Sequence, residues 1–162
     1  MHNHYVGRFA PSPSGQLHFG SLVTAVASYL DAKSHNGKWL LRMEDIDEPR
    51  CIKGVDKDIL TTLEAHGLYW DGDVIYQSQQ HARYQAVLDD LLTQQKAYFC
   101  TCTRKQIKTM GGVYNGHCRT EPVHSATQDC AVRLKVDTQL EAFDDVLMGQ
   151  VMPSTSSFDL IA

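Results

Sequence analysis

The sequence predicts an α/β protein built on a parallel sheet, and three features of its first forty-odd residues predict it. A short β-like stretch, Tyr5 to Phe9, runs into a turn stiffened by proline and glycine. An apolar repeat of helical period follows from Gly20 to about Lys33, and a second apolar run, Lys38 to Met43, comes after the helix stop. Strand, turn, helix and strand in that order form a βαβ unit. The crossover returns the chain to the same end of the sheet, so the two strands must lie parallel, as in doubly wound folds.

Each element has its own warrant. Leu22, Val23, Val26, Tyr29 and Leu30 recur at three- and four-residue intervals, which predicts one buried helix face. Asn36-Gly37 supplies the left-handed turn on which helices end. Lys-Trp-Leu-Leu-Arg-Met, short and apolar, is expected as a buried strand. A second helix is predicted over Ile52 to His66, with Val55, Ile59, Leu60 and Leu63 inward and Gly67 as its stop. A third is predicted over Gln80 to Gln95, with Tyr84, Val87, Leu88, Leu91 and Leu92 inward. Beyond Lys96 the texture changes to short strands, glycines and cysteines, with a strand expected from Ala131 to Val136. The last eighteen residues suggest no element.

Composition bounds the function classes. A chain of 162 residues is long enough for one full domain, or one domain with a small insertion, and 43% hydrophobic with 21% charged residues is ordinary for a soluble globular protein. No run approaches the roughly 18 apolar residues of a membrane span. Met1-His2-Asn3-His4-Tyr5 lacks the basic and apolar regions of a secretory signal, so a cytoplasmic location is expected. A net charge of -4 and a pI near 6.0 argue against RNA binding as the whole function, because phosphate neutralisation normally demands a basic surface. The densest basic group is Arg104-Lys105-Gln106-Ile107-Lys108. Five cysteines without a signal peptide are thiols or metal ligands rather than a disulfide framework.

The segment Arg8-Phe9-Ala10-Pro11-Ser12-Pro13-Ser14-Gly15-Gln16-Leu17-His18-Phe19-Gly20-Ser21 places a stiff turn between a strand and the start of a helix. A helix N-terminus offers unpaired N–H groups and partial positive charge, a ready anion site. Gly20 lets a nucleotide approach the backbone, and the His18 imidazole can donate to a phosphate oxygen as charge develops there. Any one of these residues could be merely a cap or a loop former; the combination carries the argument. The next block, Leu40-Leu41-Arg42-Met43-Glu44-Asp45-Ile46-Asp47-Glu48-Pro49-Arg50, leaves a strand and ends in a cluster of acids. Ligands of open α/β sheets bind outside the carboxyl ends of strands, so Glu44 can reach one, and its carboxylate suits an ammonium group. Asp47 and Glu48 fit a solvated cap, with Pro49 in the first helical turn.

Cys100 and Cys102 aim two thiolates at one point, and Cys118 returns after Gly111-Gly112-Val113-Tyr114-Asn115-Gly116. Three such ligands call for Zn2+, which takes four in a tetrahedron. Tyr114, His117, His124 and Cys130 are candidates for the fourth, and ligand chemistry alone favours His117 or Cys130. Cys51 and Cys130 are otherwise expected as core thiols.

The first of these motifs closely resembles the HIGH-type signature of class I aminoacyl-tRNA synthetases in its glutamyl form, RFAPSPTGxLHIG, and the second the LRIEDTDxxR block of glutamyl-tRNA synthetases. The resemblance covers roughly residues 5 to 136. It implies an incomplete Rossmann-type sheet with a small zinc-binding insertion. Residues 1–96 would be the first half of the catalytic domain, 97–136 the insertion, and 137–162 a tail or the start of a truncated remainder. Arg8, Phe9, Ala10, Pro11, Ser12 and Glu44 would meet L-glutamate. Ser14, His18, Gly20 and Ser21 would meet ATP with its Mg2+, with His18 and Gly20 at the chemistry. The spacing Cys-x-Cys-x11-Tyr-x3-Cys resembles the glutamyl-Q tRNA(Asp) synthetase subgroup. That subgroup implies Cys100, Cys102, Tyr114 and Cys118 as ligands of a structural Zn2+, and glutamate transfer to the queuosine base of tRNA(Asp). His18-Phe19-Gly20-Ser21-Leu22 likewise departs from the HIGGAR usual in the ordinary glutamyl enzyme.

Members of this family run to about twice the present length, and the later Tyr and Arg of the glutamate pocket and the KMSKS-type lysine loop are not found here. The sequence is therefore expected to be an N-terminal fragment, monomeric and inactive by itself. Three other readings compete: a piece of an ordinary glutamyl-tRNA synthetase, a small nucleotidyltransferase with a HIGH-like turn, and a zinc-containing RNA-binding module without catalysis.

Overall fold

The computed structural model describes residues 5–120, 130–136 and 142–152. The chain divides into two compact units, Met1–Ala82 and Arg83–Ala162.

The first unit contains β1 (Val6–Phe9), α1 (Phe19–Ser34), β2 (Lys38–Met43), α2 (Val55–Ala65) and β3 (Ile75–Tyr76). The strands form one sheet in the order β1-β2-β3. Val6 pairs with Lys38 and Phe9 with Leu41, while Arg42 pairs with Ile75, all in parallel. The predicted βαβ unit is present; the two-residue β3 is too short to show a sequence period. On β2 the side chains alternate. Trp39, Leu41 and Met43 are fully buried among Phe9, Ala25, Ala32, Ile59 and Leu63, and Leu40 and Arg42 are half-buried.

The face α1 buries differs from the one expected. Ala25 and Ala32 are fully buried, with Tyr29 packed beside them, whereas Val23, Val26 and Leu30 are exposed. Close approach explains this. A Cβ at Gly7 on β1 would lie 2.9 Å from Ala32 Cβ and 3.2 Å from the Ser28 carbonyl oxygen, so helix and strand meet through their smallest residues. The helix ends where predicted, by a different division of labour. Asn36 takes the left-handed conformation (φ 50°), and the Gly37 N–H donates to the Ala32 carbonyl at 2.8 Å. Gly37 is needed for space, since a Cβ there would sit 2.3 Å from the Tyr5 carbonyl oxygen.

Trp39 anchors the unit. Its indole N–H donates to Ser28 Oγ at 3.0 Å, its backbone N–H to Asp71 Oδ2 at 2.8 Å, and its carbonyl accepts from the Asp71 N–H at 2.8 Å. The same Asp71 oxygen pairs with Lys33 Nζ at 2.8 Å. That pairing and the Trp39 N–H hold the Asp71 carboxyl below its ordinary range. α2 starts at Val55 rather than Ile52, because a 3-10 turn (Glu48–Arg50) occupies the approach. It buries Val55, Ile59 and Leu63 as predicted, with Leu60 half-buried, and Gly67 (φ 72°) follows its end.

α3 (His81–Thr93) begins at the end of the first unit and runs into the second, which continues with β4 (Ala97–Cys100), α4 (Arg104–Thr109), α5 (His117–Thr120), β5 (Ala131–Leu134), β6 (Phe143–Asp145) and β7 (Gly149–Val151). No residue of α3 is buried. The face predicted to point inward is half-buried at Tyr84, Leu88, Leu91 and Leu92 and exposed at Val87. β4 and β5 are antiparallel, with Tyr98 opposite Arg133 and Cys100 opposite Ala131. A β6–β7 hairpin stands where no element was expected. Its turn is held by Asp145 Oδ1, which accepts from the Leu147 and Met148 N–H groups at 2.9 and 2.8 Å.

Candidate functional site

Two neighbouring cavities occupy the carboxyl ends of β1 and β2. The larger, ≈ 440 Å³, is lined by the turn after β1 and the first turns of α1, from Phe9 through Ser14, Leu17 and His18 to Ser21 and Thr24. The smaller, ≈ 210 Å³, is lined by Glu44, Ile46, Asp47, Arg50, Cys51 and Gln77. Ser12 and Ser14 line both, so the two share a wall. Phe9, Ala10, Pro11, Ser12, Ser14, His18, Ser21 and Glu44, all singled out from sequence, line one cavity or the other. Arg8 and Gly20 are exposed and line neither.

Backbone hydrogen bonds hold the turn onto the acidic block. The Glu44 N–H donates to the Pro11 carbonyl and the Ile52 N–H to the Pro13 carbonyl, both at 2.9 Å, and the two prolines are buried. The prolines thus do more than stiffen a loop, since the Pro11 carbonyl fixes Glu44 and the Pro13 carbonyl fixes Ile52 against the turn. His18 is the N-cap of α1, its Nδ1 accepting from the Ser21 N–H at 3.2 Å, with Ser21 Oγ 3.2 Å from Nε2. An accepting Nδ1 leaves the ring proton on Nε2, where it can be donated. A Cβ at Gly20 would lie 3.1 Å from His18 Cε1 and 3.2 Å from Nδ1, so Gly20 leaves room for the capping imidazole.

The Glu44 carboxylate is half-buried, with Oε1 2.5 Å from Arg42 Nη2. Asp45 has a structural role, its carboxylate accepting from the Ser78 N–H at 2.9 Å and the Ser78 hydroxyl at 2.5 Å. Asp47 stands at the N-cap of the 3-10 turn but makes no cap bond, pairing instead with Arg50 Nε at 2.6 Å. Gln77 in the smaller cavity comes from a distant segment, and no local pattern marks it. Cys51 is half-buried at the cavity wall rather than in the core. Burial, then the charges of Asp45, Asp47 and Glu48, push its thiol up, which keeps it protonated and a poor nucleophile.

In the second unit, Cys100 ends β4, Cys102 lies in the following loop and Cys118 sits in α5. Their sulfurs lie within 4.8 Å of one another, Cys102 and Cys118 being 3.5 Å apart. Tetrahedral Zn2+ with bonds of about 2.3 Å sets its sulfurs about 3.8 Å apart, so the trio has the dimensions to hold such an ion. Gly111, Gly112 and Gly116, at φ 97°, 83° and 81°, give the returning loop its left-handed bends. A capping box, Thr103 with Gln106, fixes the start of α4 directly after Cys102. Tyr114 is buried against the trio, its hydroxyl oxygen accepting from the Cys118 N–H at 2.8 Å. His117 is exposed, and neither it nor Cys130, which is half-buried, joins the trio; His124 lies outside the described residues.

The electrostatics of the trio suit a cation. Burial raises the Cys100 thiol, but hydrogen bonds from Arg133, the Cys102 backbone and Tyr114 outweigh it and bring the thiol below its ordinary range. Burial and hydrogen bonds with Cys118 and Cys100 push the Cys102 thiol up to about 12. Burial, then hydrogen bonds to Tyr98 and Cys100, hold the Tyr114 phenol well above its usual value. One thiolate is favoured and further anions beside it are resisted, a resistance that a divalent cation reverses.

Residues 5–161 match the family described as tRNA synthetases class I (E and Q), catalytic domain. The chain is 59% identical over 153 residues to the glutamyl-Q tRNA(Asp) synthetase of Photobacterium profundum, covering 94% of this chain and 49% of that protein. It is 54% identical over 147 residues to the glutamyl-Q tRNA(Asp) synthetase of Vibrio cholerae, covering 91% and 48%. A glutamate tRNA ligase from Elizabethkingia meningosepticum, solved in complex with its amino acid, shares the fold with a TM-score of 0.78 at 24% identity, over 96% of this chain and 38% of that one. The chain thus spans about half the length of the curated relatives it matches. No described helix is long and apolar enough to cross a membrane.

Proposed function

Because the chain belongs to the class I glutamyl- and glutaminyl-tRNA synthetase catalytic-domain family, we propose that it is the ATP- and glutamate-binding part of an enzyme that charges the queuosine base of tRNA(Asp) with glutamate. The observation that carries this reading is the pair of cavities sharing Ser12 and Ser14, one against the N-terminus of α1 and the other beside Glu44. In the proposal ATP lies in the first cavity, against Ser14, His18 and Ser21, with Gly20 leaving room for the His18 ring beside them. L-glutamate lies in the second, against Ser12 and Glu44.

In the chemistry, a glutamate α-carboxylate oxygen forms a bond to the α-phosphorus of ATP while the bond to pyrophosphate breaks, giving glutamyl-adenylate. The queuosine base then takes the acyl group and AMP leaves. Positioning and charge stabilisation do most of the work in such a step. Mg2+ bound to the triphosphate neutralises its charge. The His18 Nε2–H donates toward phosphate oxygens at the end of the α1 dipole. Arg42 occupies Glu44 Oε1, leaving Oε2 for the substrate ammonium. Phe9 and Pro11 are buried, so they and Ala10 hold the backbone, and Arg8 adds positive charge that attracts glutamate carboxylates. Residues 1–96 serve as the nucleotide-binding half. Residues 97–136 carry the structural Zn2+ on Cys100, Cys102 and Cys118, with the Tyr114 oxygen as fourth ligand.

Glutamate-dependent ATP–pyrophosphate exchange tests this reading. These 162 residues alone are expected to show none. The chain extended to its relatives' full length is expected to show it, and to glutamylate queuosine-containing tRNA(Asp) but not tRNA(Asp) lacking queuosine. His18→Ala should lower the exchange rate about 100-fold or more. Exchange without glutamate dependence would favour a small nucleotidyltransferase, and charging of tRNA(Glu) an ordinary glutamyl enzyme. Salt-sensitive RNA binding without ATP binding would favour a non-catalytic module.

A further inference from the structure

Arg133, on β5, is 4% exposed and is the buried charged residue among those described. Burying a guanidinium without a counter-charge is strongly unfavourable, so its surroundings should supply one. Among the described residues no carboxylate lies within ion-pair distance of it. What surrounds it is the sulfur cluster. β4–β5 pairing sets Arg133 opposite Tyr98, which shares a face of β4 with Cys100 two residues on. The Arg133 Cζ stands 4.0 Å from the centroid of the Tyr114 ring, and the guanidinium charge favours the Cys100 thiolate, bringing that thiol below its ordinary range against the effect of burial. The Arg133 Nε is buried and has no hydrogen-bond partner among the described residues. A cation held this way, over a phenol ring and with Nε unpartnered among the described residues, is incompletely satisfied as it stands.

We infer that Arg133 is the charge-compensating positioning residue of the metal centre, holding the Cys100 sulfur and the Tyr114 ring in place and offsetting the surplus negative charge of the bound site. The inference rests on the metal site proposed above. Three thiolates around a divalent cation leave one net negative charge, and a phenolate as fourth ligand leaves two. A buried guanidinium beside them removes one. Arginine suits the place better than lysine, because its planar fork can address a sulfur while its face stacks on an aromatic ring. The arrangement also ties β5 to the metal loop, so that ion binding stiffens the β4–β5 pair.

The test compares the unchanged chain with Arg133→Met, similar in bulk and uncharged, and Arg133→Lys, charged but without the fork. Zinc affinity is measured by competition with a chromophoric chelator, and thermal midpoints are taken for metal-free and zinc-loaded samples. Outer partners of metal ligands typically contribute about 10–100-fold in affinity, and a loss of that size is expected in Arg133→Met, with a smaller loss in Arg133→Lys. The metal-free midpoint of Arg133→Met should be unchanged or higher, because an uncompensated buried charge has gone, while the zinc-loaded midpoint falls. With Co2+ in place of zinc, the sulfur-to-metal absorption bands should shift in Arg133→Met. Zinc affinity within twofold of the unchanged chain, or equal destabilisation with and without metal, would overturn the inference and leave the metal site standing. An unchanged chain that binds no zinc would remove the metal site itself and the inference with it.

Discussion

The two compact units reach order by different means. The first closes around a continuous apolar cluster running from Phe9 through Trp39, Leu41 and Met43 to Ile59, Leu63 and Leu68, and the turn after β1 is pinned to that body by backbone hydrogen bonds. Among the described residues, the buried cluster of the second is Tyr98, Cys100, Tyr114 and Cys118, a set dominated by sulfur and phenol with little aliphatic surface. A site built on the first kind of scaffold is preorganised by hydrophobic packing. On the proposed zinc site, a loop built on the second would depend on the ion its sulfurs hold, as small metal-stapled modules do.

Metal removal should separate the two units most sharply. Both tryptophans, Trp39 and Trp70, lie in the first unit, so tryptophan fluorescence reports that unit alone. On treatment with a strong chelator, amide protection across 97–120 is expected to collapse while the tryptophan-monitored melt stays put. A common shift of both signals would mean that the units do not differ in this way.

Leu41→Ala opens a cavity in the packed cluster and should destabilise the first unit by about 2–5 kcal/mol, read from urea midpoints followed by tryptophan emission. Zinc affinity of the same variant should be unchanged. Gly37→Ala forces a Cβ against the Tyr5 carbonyl oxygen, which is backbone and cannot swing away; a loss of about 1–3 kcal/mol is expected in the same urea titration.

The smallest effect belongs to Asp71. Its carboxyl is held below its ordinary range chiefly by Lys33 and the Trp39 N–H. The stabilisation is therefore fully present above the ordinary carboxylate range and is lost as pH falls through the depressed value. The pair is exposed by more than a third on each side, so Asp71→Asn should lower stability by only about 0.5 kcal/mol at neutral pH. The difference should vanish in acid urea titrations.

The sequence made the βαβ unit, the turn on β1, the acidic block and the three-cysteine spacing legible, because each is written in local periodicity or in a run of unusual residues. Other features depend on approach between distant segments. The buried face of α1 is set by how closely β1 comes at Gly7, which favours Ala25 and Ala32 over the larger Val23, Val26 and Leu30. Asp45 holding Ser78, and Gln77 entering the smaller cavity, join segments more than thirty residues apart. Arg133 looks like any strand arginine until β4 pairs with β5 and turns it toward Cys100. The β6–β7 hairpin is three residues a side, too short for an alternation to show.

The contrast between an apolar scaffold and a metal-dependent one is tested most directly by elemental analysis of the purified chain beside its Tyr114→Phe variant. About one zinc per chain, weakened or lost in the variant, is the predicted result. A chain without zinc that still protects the amides of 97–120 would contradict the account.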